Sequence, residues 1–145
     1  MGHTFRFLDD MAIADLAFEA SGDSVQDVFE GATNALIEAM ANPATIGSDW
    51  HQSIDRLDDD PASLLFDWLS DLVYWKDAAC VVFSAAEIGL RQRDDHAWAL
   101  SARLYGERVG KPAHEVRADV KGVTKHLYRL EHEGAQWTAR VVLDV

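Results

Sequence analysis

The sequence predicts one α+β domain, a mostly antiparallel β-sheet covered on one face by two α-helices. Three observations carry this. Two segments place apolar residues at helical spacing, each behind a good N-cap. After the second, the apolar period changes to two and holds to Val145, with turn residues at Asp94-Asp95 and Glu133-Gly134. No repeat, low-complexity tract or linker divides residues 1–145. The predicted order is β-β-α-β-α-β-β-β-β.

Residues 4–8 read as a first strand with Phe5 and Phe7 on one face, ended by Asp9-Asp10. Residues 13–20 read as a second, with Ala14, Leu16, Phe18 and Ala20 on one face and Ile13, Asp15, Ala17 and Glu19 on the other. An acid between Ile13 and Ala17 stands out. Ser21-Gly22-Asp23 reads as a turn, and Ser24 as the N-cap of a helix. That helix carries Val25, Val28, Phe29, Ala32, Ala35, Leu36, Ala39 and Met40 and ends near Asn42-Pro43. A strand over residues 50–57 follows.

Asp60 then caps a helix over residues 61–77, with Pro61 at its first position and a stripe of Leu64, Leu65, Trp68, Leu69, Leu72 and Val73. The closing strands are expected at 80–93, 96–105, 115–131 and 136–145. Residues 106–114 are expected to form a loop, and Gly122 to mark a bulge or bend. Cys80, before Val81-Val82-Phe83, is expected to be a buried, inert thiol.

A net charge of -12 opposes unaided binding to a phosphate backbone and favours a basic protein surface or cations. One cysteine excludes an internal disulfide and the Cys-rich zinc patterns. His3, His51, His96, His114, His126 and His132 are scattered, without zinc-site spacing. The Asp58-Asp59-Asp60 run is explained by helix capping. There is no glycine-rich phosphate loop, nucleophile elbow or EF-hand spacing. No apolar run approaches the ~20 residues of a membrane span and no signal-peptide pattern opens the sequence, so no membrane contact and cytoplasmic residence are expected.

The last strand alternates cleanly, with Trp137, Ala139, Val141 and Leu143 on one face and Gln136, Thr138, Arg140 and Asp144 on the other. It places the Val145 α-carboxylate beside the Asp144 carboxylate. Either that end is simply solvated, or the two anions meet a cation or partner. Were the strands of Asp15 and Asp144 neighbours, hard oxygen ligands would converge, suiting Mg²⁺, Ca²⁺ or Mn²⁺. Periodicity leaves that adjacency open. A free-standing metal-dependent hydrolase or nuclease using Asp15 and Asp144, and a chaperone-like binding domain, are the other readings.

Several blocks, in order and over nearly the whole chain, resemble the archease family. They are Phe7-Leu8-Asp9-Asp10, Ala14-Asp15-Leu16, Gly22-Asp23-Ser24 and Leu64-Leu65-Phe66-Asp67-Trp68-Leu69. Tyr105-Gly106-Glu107, His114-Glu115-Val116, Asp119-Val120-Lys121-Gly122-Val123-Thr124 and Val141-Val142-Leu143-Asp144-Val145 continue the match. The resemblance implies a small α+β domain serving as a non-enzymatic accessory factor of an RtcB-type RNA ligase. Such a factor promotes GTP-dependent guanylylation and repeated turnover of the ligase in tRNA splicing and RNA repair, meeting RNA only through it. It implies a divalent metal held by Asp15, Asp144 and Val145, and roles in ligase activation for Lys121 and His126. This chain departs from the family where H-T-A-D reads Ala12-Ile13-Ala14-Asp15 and where the tyrosine of T-Y-H is Lys125.

Overall fold

The structure, a computed structural model, describes residues 2–8 and 16–145. The strand expected over residues 13–20 is therefore seen from Leu16, and its earlier residues, with the expected exit at Asp9-Asp10, lie outside the described residues. The elements are β1 (His3–Phe7), β2 (Leu16–Gly22), α1 (Val25–Met40), a 3-10 turn (Pro43–Thr45), β3 (Trp50–Asp58), α2 (Pro61–Ala79), β4 (Val81–Gln92), β5 (Trp98–Arg108), β6 (Gly122–Glu133) and β7 (Gln136–Asp144). The predicted α+β order holds.

The strands form two antiparallel sheets rather than one, in the orders β1-β2-β7-β6 and β3-β5-β4. Each helix contacts both sheets, so one continuous core fills the space between them. Phe18, Phe29, Leu36, Trp68, Leu69, Phe83 and Leu104 are fully buried there. Emptying one such leucine site, as in Leu69→Ala, would cost about 2–5 kcal/mol.

Capping sets the helix starts. Ser24 Oγ accepts the Asp27 N–H at 3.0 Å, and Asp60 accepts the Ala62 N–H at 3.1 Å, with Pro61 at the first helical position. A buried hydrogen bond ties the helices together: Trp68 Nε1–H donates to Thr33 Oγ1 at 2.8 Å, and that hydroxyl donates to the Phe29 carbonyl. On the four-stranded sheet, Glu19 lies between Arg6 and Arg140 on successive strands and pairs with both.

Four expectations are corrected. Residues 115–120 do not extend β6, which begins at Gly122. Instead they satisfy orphan carbonyls at the end of α1, a demand that overrides their alternating pattern. Arg117 N–H donates to Met40, Ala118 N–H to Ala39, and the Arg117 guanidinium to Glu38. The expected loop from residue 106 starts later, because β5 runs to Arg108. Gly106 permits this: a Cβ there would lie 2.2 Å from the Val82 carbonyl oxygen of the neighbouring strand.

Similarly, Gly22 closes β2 rather than forming a turn, and a Cβ there would lie 2.6 Å from the Val28 nitrogen of α1. Finally, Cys80 is exposed rather than buried. The helix before it continues through Ala79, and Cys80 ends it in the left-handed conformation, with φ 55°. Burial resumes only at Val81.

Candidate functional site

Three of the predicted functional residues, Lys121, Asp144 and Val145, gather at one end of the four-stranded sheet, where β7 finishes and β6 begins. Strand pairing sets this geometry. Leu16 of β2 faces Leu143 of β7, and Gly122 of β6 faces Asp144. Just before β6, the Lys121 N–H donates to the Asp144 carbonyl at 2.7 Å. Lys121, Asp144 and Val145 are all exposed there, while the adjacent Val120 and Leu143 are fully buried. A rigid apolar floor thus carries an exposed polar rim. Asp15, the residue before Leu16 in sequence, lies outside the described residues.

A second acid stands close to this rim. Asp119 accepts a hydrogen bond from the Lys76 ammonium at 2.7 Å. That bond, then the charge of Lys76, with a smaller contribution from Lys121, holds its carboxyl below the usual range. Among the described residues, no three His, Cys, Asp or Glu side chains gather as a metal cluster. The described part of the candidate cation site is therefore Asp144 and Val145.

His126 sits apart from Lys121, further along β6. The ladder with β7 runs Thr124↔Val142 and resumes at Arg129↔Arg140. Lys125, His126, Leu127 and Tyr128 thus lie opposite Val141 alone, and His126 is exposed on this bulge. The expected irregularity in this segment falls after Gly122, not at it. The bulge rests on α2, where Tyr128 O–H donates to the Ala62 carbonyl at 2.6 Å and packs edge-on against Phe66. Burial pushes the Tyr128 phenol up. Lys125 places its ammonium 4.0 Å from the centroid of the Phe66 ring.

One charged cluster had no predicted role. Glu107, 9% exposed, accepts from the Gly47 N–H at 2.9 Å, from His114 at 2.8 Å and from Lys111. The Lys111 N–H approaches His114 Nδ1 at 3.3 Å, so Nε2–H is the donor to Glu107. The bonds from Lys111, His114 and Gly47, in that order, hold the Glu107 carboxyl down to about 2. The signal was present in Tyr105-Gly106-Glu107 and His114-Glu115-Val116, but spacing alone does not pair them. A cavity of about 620 Å³ lined by Asp55, Leu57, Arg91 and Ser101 lies on the three-stranded sheet, away from Lys121, His126, Asp144 and Val145. Among the described residues, no helix is long and apolar enough to cross a membrane.

Two antiparallel sheets, two helices shared between them and a polar rim at one sheet end define a small α+β domain of a distinct type. A model of the archease protein family (MTH1598/TM1083) matches residues 5–145. The chain belongs to that family. It is 33% identical over 141 residues to the protein archease of Methanothermobacter thermautotrophicus, covering 97% of this chain and 98% of that protein. With the Pyrococcus furiosus protein archease it shares 29% over 133 residues, covering 91% and 93%. The solution structure of Methanobacterium thermoautotrophicum protein 1598 superposes with a TM-score of 0.82 at 33% identity, over 97% of this chain and 98% of that one. A Thermotoga maritima archease, described as a possible chaperone, superposes with a TM-score of 0.58 at 20% identity, over 92% and 93%, and speaks to the fold alone.

Proposed function

We propose that this protein is a metal-binding, non-catalytic accessory factor that activates an RtcB-type RNA ligase, promoting its GTP-dependent guanylylation and repeated turnover. Family membership supports an accessory role, and the match of Asp15, Lys121, His126, Asp144 and Val145 to the family's functional positions supports the finer reading. The observation that supports it most is the register at the sheet end. It sets the start of the described β2 opposite the residue before Asp144, with Lys121 bonded to Asp144 itself.

In this reading Asp15, Asp144 and a main-chain oxygen of Val145 hold one divalent cation. Carboxylate and main-chain oxygens form a hard donor set, which suits Ca²⁺, Mg²⁺ or Mn²⁺ over softer ions. The cation would neutralise this acidic end and fix its geometry. Lys121 and His126, exposed along the adjoining strand, would then meet the ligase. The protein supplies no reacting group, and RNA is met only through the ligase. The net charge of -12 favours docking on a basic, RNA-binding enzyme.

The test is the number of RNA joining events per ligase molecule, with and without this protein. A rise well above one event only in its presence is expected. An unchanged count would refute the reading.

A further inference from the structure

Leu127 is an apolar side chain held outward in a costly backbone conformation. Among the described residues, only Cys80, His96 and Leu127 combine a side chain with positive φ. Cys80 ends a helix and His96 closes a hairpin turn, where such angles reverse the chain. Leu127, with φ 55°, lies inside β6 and reverses nothing. The residue is also 45% exposed. Its own fold draws no visible benefit from either cost, and strain of this kind persists only where the surroundings enforce it.

The surroundings do enforce it. Four residues of β6 oppose Val141 alone, so the strand must arch outward. Both feet of the arch are fastened to α2, through Lys125 over the Phe66 ring and through Tyr128 on Phe66 and the Ala62 carbonyl. His126 and Leu127 form its top. The segment 121–129 carries Lys121, Lys125, His126 and Arg129 and no acid, in a chain of net charge -12. The four basic side chains are exposed.

We propose that this arch is a preformed docking tip, whose Leu127 side chain enters an apolar pocket with an acidic rim on the partner ligase. The assignment rests on the ligase reading above and adds the surface through which contact is made. A protein partner is favoured over RNA because an aliphatic tip gains nothing from a phosphate backbone, whereas an apolar protein pocket buries it. The flanking cations select an acidic rim. Since the arch is already fastened, docking orders little further chain.

Leu127→Gly and Leu127→Asn test this, because both residues accept positive φ while removing the aliphatic tip. Both variants should melt within about 2 °C of the wild type or above it. Their affinity for the purified ligase should fall about tenfold or more. Melting several degrees lower would show that Leu127 serves its own fold and would overturn the proposal. So would unchanged affinity for the ligase. If the wild type itself does not bind the ligase, the ligase reading fails and this proposal with it. If the wild type binds and the variants bind equally well, the arch alone fails. Binding of a 20-nucleotide single-stranded RNA that is weakened in both variants would assign the arch to RNA and overturn the protein partner.

Discussion

The backbone N–H of Lys121 donates to the carbonyl of Asp144 at 2.7 Å, fastening the entry of β6 to the last paired residue of β7. The bond uses backbone alone, so the ammonium of Lys121 and the carboxylate of Asp144 are both left pointing to solvent. Fold and candidate function are therefore separable at these two positions.

Asp144→Asn should leave the fold intact, changing stability by no more than about 0.5 kcal/mol, because the side chain is exposed. It should weaken divalent-cation binding by roughly one to two orders of magnitude, since one ligand charge is lost. Calorimetric titration with Ca²⁺, Mg²⁺ and Mn²⁺ measures this. Equal affinities in variant and wild type would remove Asp144 from the ligand set.

Lys121→Ala should likewise shift stability by no more than about 0.5 kcal/mol. The backbone bond to Asp144 survives, and only an exposed ammonium is removed. Ligase activation should nevertheless fall. A large drop in Tm with normal activation would make Lys121 a structural residue instead.

Thr33→Val isolates the bond between the helices. Trp68 Nε1–H would be left buried without an acceptor, a loss of about 1–3 kcal/mol. A chain of this size should then melt roughly 3–8 °C lower. Combining Thr33→Val with Trp68→Phe should be less damaging than the sum of the two changes, by about 1 kcal/mol. Strict additivity would mean that the bond contributes nothing.

Glu107 predicts a pH dependence. Its carboxyl is lowered in the folded chain, so its contribution is present above its ordinary value near 4.5 and is lost as pH falls towards about 2. Thermal melts across that window should show Tm falling steeply in the wild type. Glu107→Gln should start lower at pH 7 and lose less on acidification. Parallel acid limbs for the two proteins would show that the bonds to Lys111, His114 and Gly47 do not couple to folding.

Much of this was legible in the sequence, and the exceptions share a cause. Ser24, Asp60 and Pro61 marked helix starts correctly because capping is decided within a few residues. The alternation of β7 was legible because its apolar face is half-buried at Trp137 and buried at Ala139, Val141 and Leu143. Residues 115–120 also alternate, yet the demand they meet comes from carbonyls at Glu38, Ala39 and Met40, far away in sequence. Nor does any local pattern show that Phe66 would anchor Lys125 and Tyr128 across an arched strand. The separation into two sheets was hidden for the same reason. Alternation shows which face of a strand is buried, not which strand lies beside it.

The most direct test of the account is the initial rate of GTP-dependent labelling of the purified ligase in the presence of a divalent cation. It is measured with no addition, with the wild-type protein and with Asp144→Asn. The expected rate is at least about tenfold higher with wild type and near the unassisted one with Asp144→Asn, a difference of about 1.4 kcal/mol or more in barrier. An unassisted rate with the wild type, or full stimulation by Asp144→Asn, would contradict it.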